Sequence, residues 1–268
     1  MTATAAPPRR WRKPPFIKNA RLRWVLALGI AVYLALAYGT TEVNWIRVWE
    51  GLPRGRQFIT AFFPPDFTSR WAEIFDGIYE SIWMTVTSTV VGIALSIPVG
   101  LGAARNLAPA PVYFLCRGIL AVSRSFQEAI LAIFFVKLFG FGPFAGFVTL
   151  SFATIGFYGK LLAEDIEDMN PSQAEAVRAT GAGWFQWLNY GVQPQVMPRM
   201  IGLGLYRLDI NFRESAVVGI VGGGGIGATL NTAFDRYEFD SAAAILLIII
   251  AIVMAVEYTS GYVRRWVQ

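Results

Sequence analysis

The sequence predicts an all-α, polytopic membrane protein with about six transmembrane helices. Hydrophobic residues make up 55% of the 268 residues and charged residues only 15%, whereas soluble domains carry about a quarter charged residues. Uncharged stretches close to the ~20 residues that cross a bilayer recur along the chain. Six spans place both termini on one side, where Lys and Arg are roughly twice as frequent, as is typical of the cytoplasmic side.

Composition also excludes several functions. The chain has no histidine and a single cysteine, Cys116, which excludes a histidine or multi-cysteine metal site, a Ser-His-Asp triad and an internal disulfide. We therefore expect no catalytic site and no metal or cofactor held by this chain. The net charge of +5 does not indicate nucleic-acid binding, because no surface of interleaved basic and aromatic residues accompanies it. The lipid bilayer is the expected environment.

Residues 1–23 are expected to form a basic cytoplasmic tail. An apolar stretch, 24–41, follows directly and predicts the first transmembrane helix. A cleavable signal peptide is the competing interpretation, since Ala35 and Ala37 offer an A-x-A cleavage site. The long basic region favours an uncleaved helix. The basic residues of the tail are Arg9, Arg10, Arg12, Lys13, Lys18, Arg21 and Arg23.

The rest of the chain divides into an extracytoplasmic segment and a transmembrane domain. Residues 24–77 comprise the first helix and then, over 42–77, a mixed-charge segment with three prolines and room for an interfacial helix around Trp71. Residues 78–268 hold the remaining spans, and the C-terminus is expected in the cytoplasm. Those spans are predicted at 81–104, 112–139, 143–163, 196–221 and 241–263, with a short turn at 107–111 and a polar stretch at 164–195.

A glycine run, residues 222–227 (GGGGIG), lies at the outer end of the fifth span. It matches G-x-G-x-x-G and nearly matches a phosphate-binding loop, but Ala228 replaces the lysine and no strand precedes it. A flexible or close-packed break in a membrane segment, followed by an exposed loop, explains the run better, because glycine permits close approach and unusual backbone angles. The candidate gate residues are Gly222, Gly223, Gly224, Gly225 and Gly227.

The polar stretch at 164–195 predicts two short helices joined by a bend. Asn170 and Pro171 are typical of a helix start. Small and apolar residues then recur at three- and four-residue steps, at Ala174, Val177, Gly181, Trp184 and Leu188, which gives one apolar face. Pro194 and Pro198 are expected to end the second helix. An amphipathic helix resting on the membrane is the alternative, but the four acidic residues of 164–168 would be repelled by anionic lipid headgroups.

Part of this stretch is similar to the EAA loop of ABC-importer permeases. Glu175, Ala176, Val177, Gly181 and Pro194 occupy the positions of that motif, with departures from its usual residues at Val177, Gly191 and Gln193. In that family the loop forms coupling helices that dock into a cleft on the ATP-binding subunit. The resemblance therefore implies that these five residues form a docking site, and we call residues 164–195 the coupling region.

A longer match narrows the family. The segments SRSFQEAILAIFF, EAVRATGAGWFQWLNYGVQPQVMP and LYRLDINFRESAVVGIVGGGGIG resemble the permease of phosphonate importers, the PhnE type, over about 110–260. Methionine-type permeases share the loop and a similar glycine run. The resemblance implies a MetI-like type I ABC-importer core, a homodimer in the inner membrane with one pore at its interface, two ATPase subunits that bind ATP and Mg, and an external substrate-binding protein.

Ionisable residues inside the predicted spans are the candidates for the pore, since such residues usually face a cavity or a partner. On a continuous third helix Arg117, Arg124 and Glu128 fall within ~40° of one another, although Arg124 and Glu128 could simply neutralise each other. Arg117 has no local partner and could face water or an anion. In the fifth span Arg207, Asn211 and Glu214 share one face, and Asp209 and Arg213 form a pair on another.

These features predict the permease subunit of an ATP-driven importer that moves phosphonate or a related phosphorus oxyanion by alternating access. An importer of another small solute, such as methionine, is the alternative within the family. An ion-coupled secondary transporter would use Glu128, Glu214 or Asp209 as coupling carboxylates, but the inverted repeat typical of that class is not found. A membrane-embedded enzyme lacks a nucleophile–base pair.

Overall fold

The computed structural model describes residue 17 and residues 19–40 and 44–267, with side chains through Tyr262. Every regular element among these residues is a helix and none is a strand, which confirms the predicted all-α class. Residues 1–16 and 18, most of the predicted basic tail, lie outside the described residues. The chain divides into two compact units, 1–57 and 58–268.

The first unit holds α1 (Ala20–Thr40), whose 21 residues are long and apolar enough to cross a membrane. This helix confirms the first predicted span to within four residues. A second helix, α2 (Trp45–Thr60), contains Pro53 and lies in the segment of mixed charge, 42–77. Neither helix buries a residue.

The second unit begins with a span that is longer than predicted. Helix α3 runs over 33 residues, Trp71–Ala103, so Trp71 opens this helix and no separate interfacial helix surrounds it. The predicted span began only at residue 81 because the first turns of α3 carry carboxylates and are therefore not an uncharged stretch. At the helix start Arg70 is paired with Glu73 and, at 2.9 Å, with Glu238.

The third span is broken, contrary to the continuous helix expected over 112–139. Helix α4 (Ala110–Ser125) and helix α5 (Glu128–Phe139) meet at 95°. Phe126 and Gln127 adopt extended backbone angles between them. The helical wheel that grouped Arg117, Arg124 and Glu128 is therefore wrong, because those residues belong to two helices of different direction.

Helix α6 (Pro143–Glu167) packs along α3 through small residues. A Cβ atom added at Gly92 would lie 2.5 Å from Thr154 Cβ, and one added at Gly100 would lie 3.0 Å from the Gly159 carbonyl oxygen. Helices in lipid associate through such close backbone approach, since lipid tails are as apolar as their side chains. We call this contact the α3–α6 seam.

The remaining helices are α7 (Pro171–Ala179), α8 (Trp184–Trp187), α9 (Gln193–Val218), α10 (Gly225–Asp235) and α11 (Phe239–Val267). A π-helical turn, Leu188–Val192, joins α8 to α9, and a second, Gly219–Gly223, follows α9. Pro194 and Pro198 therefore lie within α9 and do not end a helix, contrary to expectation. Helix α10 replaces the loop expected after the glycine run, with a bend of 54° at the break.

Contacts between helix ends show that each long helix or bent pair of the second unit passes once along the bundle. Helix α3 begins beside α10, where Gly77 approaches Ile226, and ends at Ala103, whose carbonyl accepts a hydrogen bond from Arg117 of α4. The amide of Gly142, before α6, donates to the Gly222 carbonyl. Helices α4 and α5 together therefore run from the coupling region to the glycine run, and the two bent pairs complete the predicted number of six spans.

Candidate functional site

The coupling region consists of two short helices and a tight turn, as predicted. The Asn170 side chain accepts a hydrogen bond from the Ser172 amide at 3.0 Å and caps α7. Gly181 has a φ of +82°, which a residue with a Cβ rarely adopts. The Gly183 amide donates to the Gln186 side chain at 2.9 Å and starts α8. Local hydrogen bonds thus fix both helix starts.

Trp187 joins the two short helices. Its indole Nε1 donates to the Ala174 carbonyl at 2.9 Å, and the Arg178 guanidinium lies 3.9 Å above the ring. Trp187 is only 4% exposed, whereas Trp184, expected on the apolar face, is 50% exposed. The turn at 180–183 accounts for this difference, because it interrupts the continuous helical spacing on which that expectation relied.

Gly191 is explained by the same tryptophan. A Cβ at Gly191 would lie 3.2 Å from Trp187 Cδ1 and 3.4 Å from Ala174 Cα. The indole therefore fills the space that the isoleucine usual in the related motif would need. At this position the indole of Trp187 takes the place of the isoleucine side chain, so one apolar group replaces another.

The opposite side of the helix pair forms an open groove of about 540 Å³. Ala176, Val177 and Gly181 line it, while Glu175 is exposed on α7 and Pro194 lies outside the groove in the first turn of α9. The three motif residues that line the groove are thus of small volume. Its other lining residues are Thr180, Ala182, Gln186 and Tyr190.

Hydrogen bonds and ion pairs tie the coupling region to the long helices. Gln195 of α9 accepts from the Asn170 amide at 2.9 Å and donates to the Gly191 carbonyl at 2.7 Å. Arg199 of α9 pairs with Asp165 of α6 at 2.8 Å. The coupling region is therefore bonded directly to α9, and α9 to the end of α6.

Arg117, for which the sequence offered no local partner, has partners that are distant along the chain. Its guanidinium pairs with Glu167 at 2.9 Å and donates to the Ala103 carbonyl at 2.9 Å. Arg117 thereby joins the middle of α4 to the ends of α3 and α6, beside the coupling region. The sequence could not show this pair, because Glu167 is 50 residues away along the chain.

The glycine run is a close-packed break. Gly222, Gly224 and Gly225 have φ values of +103°, +79° and +73°, a region that favours glycine strongly. A Cβ at Gly222 would lie 2.5 Å from the Phe141 ring, and one at Gly227 would collide with the Ala216 carbonyl oxygen. Both the backbone angles and the lack of space therefore require glycine here.

Two side chains from α3 cap the helix that follows the break. Glu80 accepts a hydrogen bond from the Gly225 amide at 2.6 Å, and Ser81 accepts one from the Ile226 amide at 2.9 Å. A carboxylate at a helix N-terminus satisfies free amides and opposes the positive end of the helix dipole. The start of α10 is therefore fixed to α3, and neither residue was a candidate from sequence.

The charged residues of the fifth span face the interior of the bundle. Arg207 is 2% exposed. Its Nε donates to Thr154 at 3.1 Å, and its Nη2 lies 3.7 Å from Glu128. Asn211 is fully buried and donates to Thr89 at 2.8 Å and to Thr154 at 3.0 Å. These contacts connect α9 to α3, α5 and α6.

The predicted side-chain pairs have mixed outcomes. Asp209 and Arg213 form the expected pair at 2.8 Å. The alternative in which Arg124 neutralises Glu128 is wrong, because Glu128 is paired with Arg207 instead. Glu214 is half-buried on the same face of α9 as Arg207. Whether these residues or the glycines line a pore stays a prediction.

A helical membrane domain with a small helix pair projecting from one end, and a glycine break at the other, is the architecture of a transporter permease. The family model described as "Binding-protein-dependent transport system inner membrane component" matches residues 96–268. The chain therefore belongs to this family and is a multi-pass permease subunit of the inner membrane.

The names of two curated relatives state which ion each transports. The chain is 42% identical over 229 residues to the phosphate-import permease protein PhnE of Mycolicibacterium smegmatis, a match covering 85% of this chain and 43% of that protein. It is 37% identical to the phosphite transport system permease protein PtxC of Stutzerimonas stutzeri, covering 87% of this chain and 82% of that one. The chain thus spans less than half the length of the mycobacterial relative.

Solved structures support the fold. An inward-facing structure of the MetNI methionine ABC transporter superposes with a TM-score of 0.64 at 23% identity. The match covers 73% of this chain and 96% of that chain. This likeness confirms the predicted MetI-like permease core.

Proposed function

We propose that this permease imports a phosphorus oxyanion, with phosphonate, phosphite and phosphate as the candidate cargoes, using ATP hydrolysed by a separate subunit. The names of both curated relatives specify oxyanions of phosphorus. These ions share tetrahedral geometry and negative charge, so one pore chemistry could serve them. The chain supplies the pore, and ATP and Mg are bound by the partner.

The groove of the coupling region carries the docking part of the proposal. Its small residues, Ala176, Val177 and Gly181, leave space for side chains of a partner protein. Trp187 holds α7 and α8 together behind the groove. A rigid, concave surface with an exposed glutamate, Glu175, suits a protein partner better than a flat lipid surface.

One long helical path connects this groove to the glycine run. The backbone stays helical from Trp184 through the first π-helical turn and α9 into the second, over residues 184–221. At 1.5 Å per residue this path is roughly 60 Å long. We expect closure of the ATPase subunits to move α7 and α8, and this path to carry the motion to the break at Gly222–Gly227, which would open one side of the pore as the other closes.

The proposed assembly contains two copies of this chain, two cytoplasmic ATPase subunits and an extracytoplasmic substrate-binding protein. The family description, a binding-protein-dependent system, supports the external partner. The bias of Lys and Arg supports cytoplasmic N- and C-termini. The coupling region then lies in the cytoplasm and the glycine run at the outer side.

Co-purification tests the docking site. Gly181→Leu and Ala176→Leu each place a bulky side chain in the groove, and Ala176 adds no backbone strain because it lies in a helix. Gly118→Leu is the matched control, since an added Cβ there meets no atom within 4 Å. We expect both groove variants to insert into the membrane but to lose the ATPase subunit, while the control retains it. ATPase retention by both groove variants would disprove the docking assignment.

Reconstitution tests the cargo. The assembled transporter in vesicles should accumulate a phosphorus oxyanion only when ATP and the external binding protein are present. A panel of phosphonate, phosphite, phosphate and methionine identifies the substrate. Uptake of methionine alone, or uptake without ATP turnover, would contradict the proposal.

A further inference from the structure

The bend between α4 and α5 lies near the middle of the membrane. Just before it, Ser123 donates a hydrogen bond to the Phe152 carbonyl at 2.7 Å, and Gly156 faces Ser123 and Arg124. Phe152 and Gly156 are close to the centre of the 25-residue α6. At 1.5 Å per residue, the bend is therefore roughly 13 Å or more from either end of α6.

Polar groups are exposed on the single chain at this depth. Arg124, Ser125 and Gln127 are all exposed. Ser125 bonds to the Ala121 carbonyl, but the side chains of Arg124 and Gln127 have no hydrogen-bond or ion-pair partner within the described part of the chain. Gln127 also provides no side-chain cap for α5. The bend thus presents a cation, an amide and an interrupted helix on one surface.

Lipid cannot cover such a surface. An arginine at the bilayer centre costs a few kcal/mol or more, and interrupted backbone at that depth occurs only where protein or water covers it. The lipid-facing alternative is seen on α11, where Leu247, Ile250 and Met254 are exposed and apolar. The contrast shows that the surface at 124–127 has a different neighbour.

We infer that residues 124–127 line the water-filled translocation path and that Arg124 presents a cation to the phosphorus oxyanion within it; this rests on the proposed function. Ser125 and Gln127 add neutral groups capable of hydrogen bonding. Together they provide a weak, hydrated site that an anion can enter and leave, as transport requires.

Charge distribution favours a water-filled path over a dry contact with a second copy. Glu128, the nearest carboxylate in sequence, is already paired with Arg207, and no other carboxylate among the described residues forms an ion pair with Arg124. Across a two-fold axis, a second copy would bring its own Arg124 to the equivalent surface. Two like charges there are tolerated when water or an anion lies between them, and a dry seam would leave them unpaired.

Cysteine labelling tests the inference. In a Cys116→Ala background, which removes the single cysteine, Ser125→Cys and Gln127→Cys are introduced separately, with Ile250→Cys as the lipid-facing control. The reconstituted transporter is treated with a membrane-impermeant, anionic sulfonate thiol reagent and, in parallel, with N-ethylmaleimide. We expect the sulfonate to modify both bend positions at least roughly ten-fold faster than Ile250→Cys, because water reaches only the bend. Added phosphite or phosphonate should slow that modification.

Three results would overturn the inference. Modification of the bend positions by N-ethylmaleimide alone would place the bend against lipid. Rapid disulfide formation between two copies, without sulfonate modification, would place it in a dry seam. If no transported oxyanion slows the modification, the anion does not bind at the bend. ATP-driven uptake by the Cys116→Ala parent is measured separately, so loss of uptake there contradicts the proposed function while labelling still decides the position of the bend.

Discussion

Replacing Gly225 by alanine should destabilise the start of α10. Gly225 has a φ of +73°, and a left-handed backbone costs a residue with a Cβ about 1–2 kcal/mol. The new methyl group would also run into the Ser81 hydroxyl. Displacing that hydroxyl breaks its bond to the Ile226 amide, and loss of a helix cap costs about 1 kcal/mol. Together these effects lower the free energy of unfolding by roughly 2–3 kcal/mol.

Thermal unfolding of the purified permease measures this effect. A chain of this size loses about 2–4 °C in Tm per kcal/mol, so we expect a decrease of roughly 5–10 °C. Gly118→Ala is the control, because Gly118 lies within α4 and an added Cβ meets nothing within 4 Å. Helix propensity predicts an unchanged or slightly higher Tm for that variant. If the two variants unfold at the same temperature, the conformational requirement at Gly225 has been misjudged.

Two further predictions concern charged side chains. Arg207→Met should lower the free energy of unfolding by roughly 3 kcal/mol, because it leaves Glu128 without its buried partner. Lys160→Met is the control: the pair of Lys160 with Glu164 is exposed, so this change should alter the free energy of unfolding by less than about 0.5 kcal/mol. Equal losses in denaturant unfolding would argue against a structural role for Arg207. Hydrogen bonds from Ser69 and Thr68 hold the pKa of the Asp66 carboxyl well below its ordinary value. The stabilisation by ionised Asp66 is therefore present above about pH 4 and lost as the pH falls further. Asp66→Asn should show a smaller acid-induced decrease in Tm than the native chain. Parallel curves of Tm against pH for the two proteins would contradict this.

The number and order of the spans could be predicted from the sequence, because apolar length is a strong signal. The break within the third span could not. Phe126 and Gln127 are neither glycine nor proline, so neither residue predicts a bend. Helix α5 packs against α6 and α9, and single-sequence patterns do not contain such long-range contacts.

The candidate site also contains some features that could be predicted from the sequence and others that could not. The cap at Asn170 and the turn at Gly181 are local features, and both were predicted from neighbouring residues. Trp187 was missed because the turn at 180–183 interrupts the helical repeat on which the prediction relied. Glu80 and Ser81 were missed because the amides that they cap lie 145 residues away.

The α3–α6 seam has a consequence for how variants would act in a cell. Gly92 and Gly100 leave no room for an added methyl group, so a larger residue there would interfere while the two helices first come together in the membrane. Permease molecules that failed at this stage would be degraded, since loss of stability lowers abundance. Such variants should reduce the number of transporters per cell while each surviving transporter keeps its normal turnover rate.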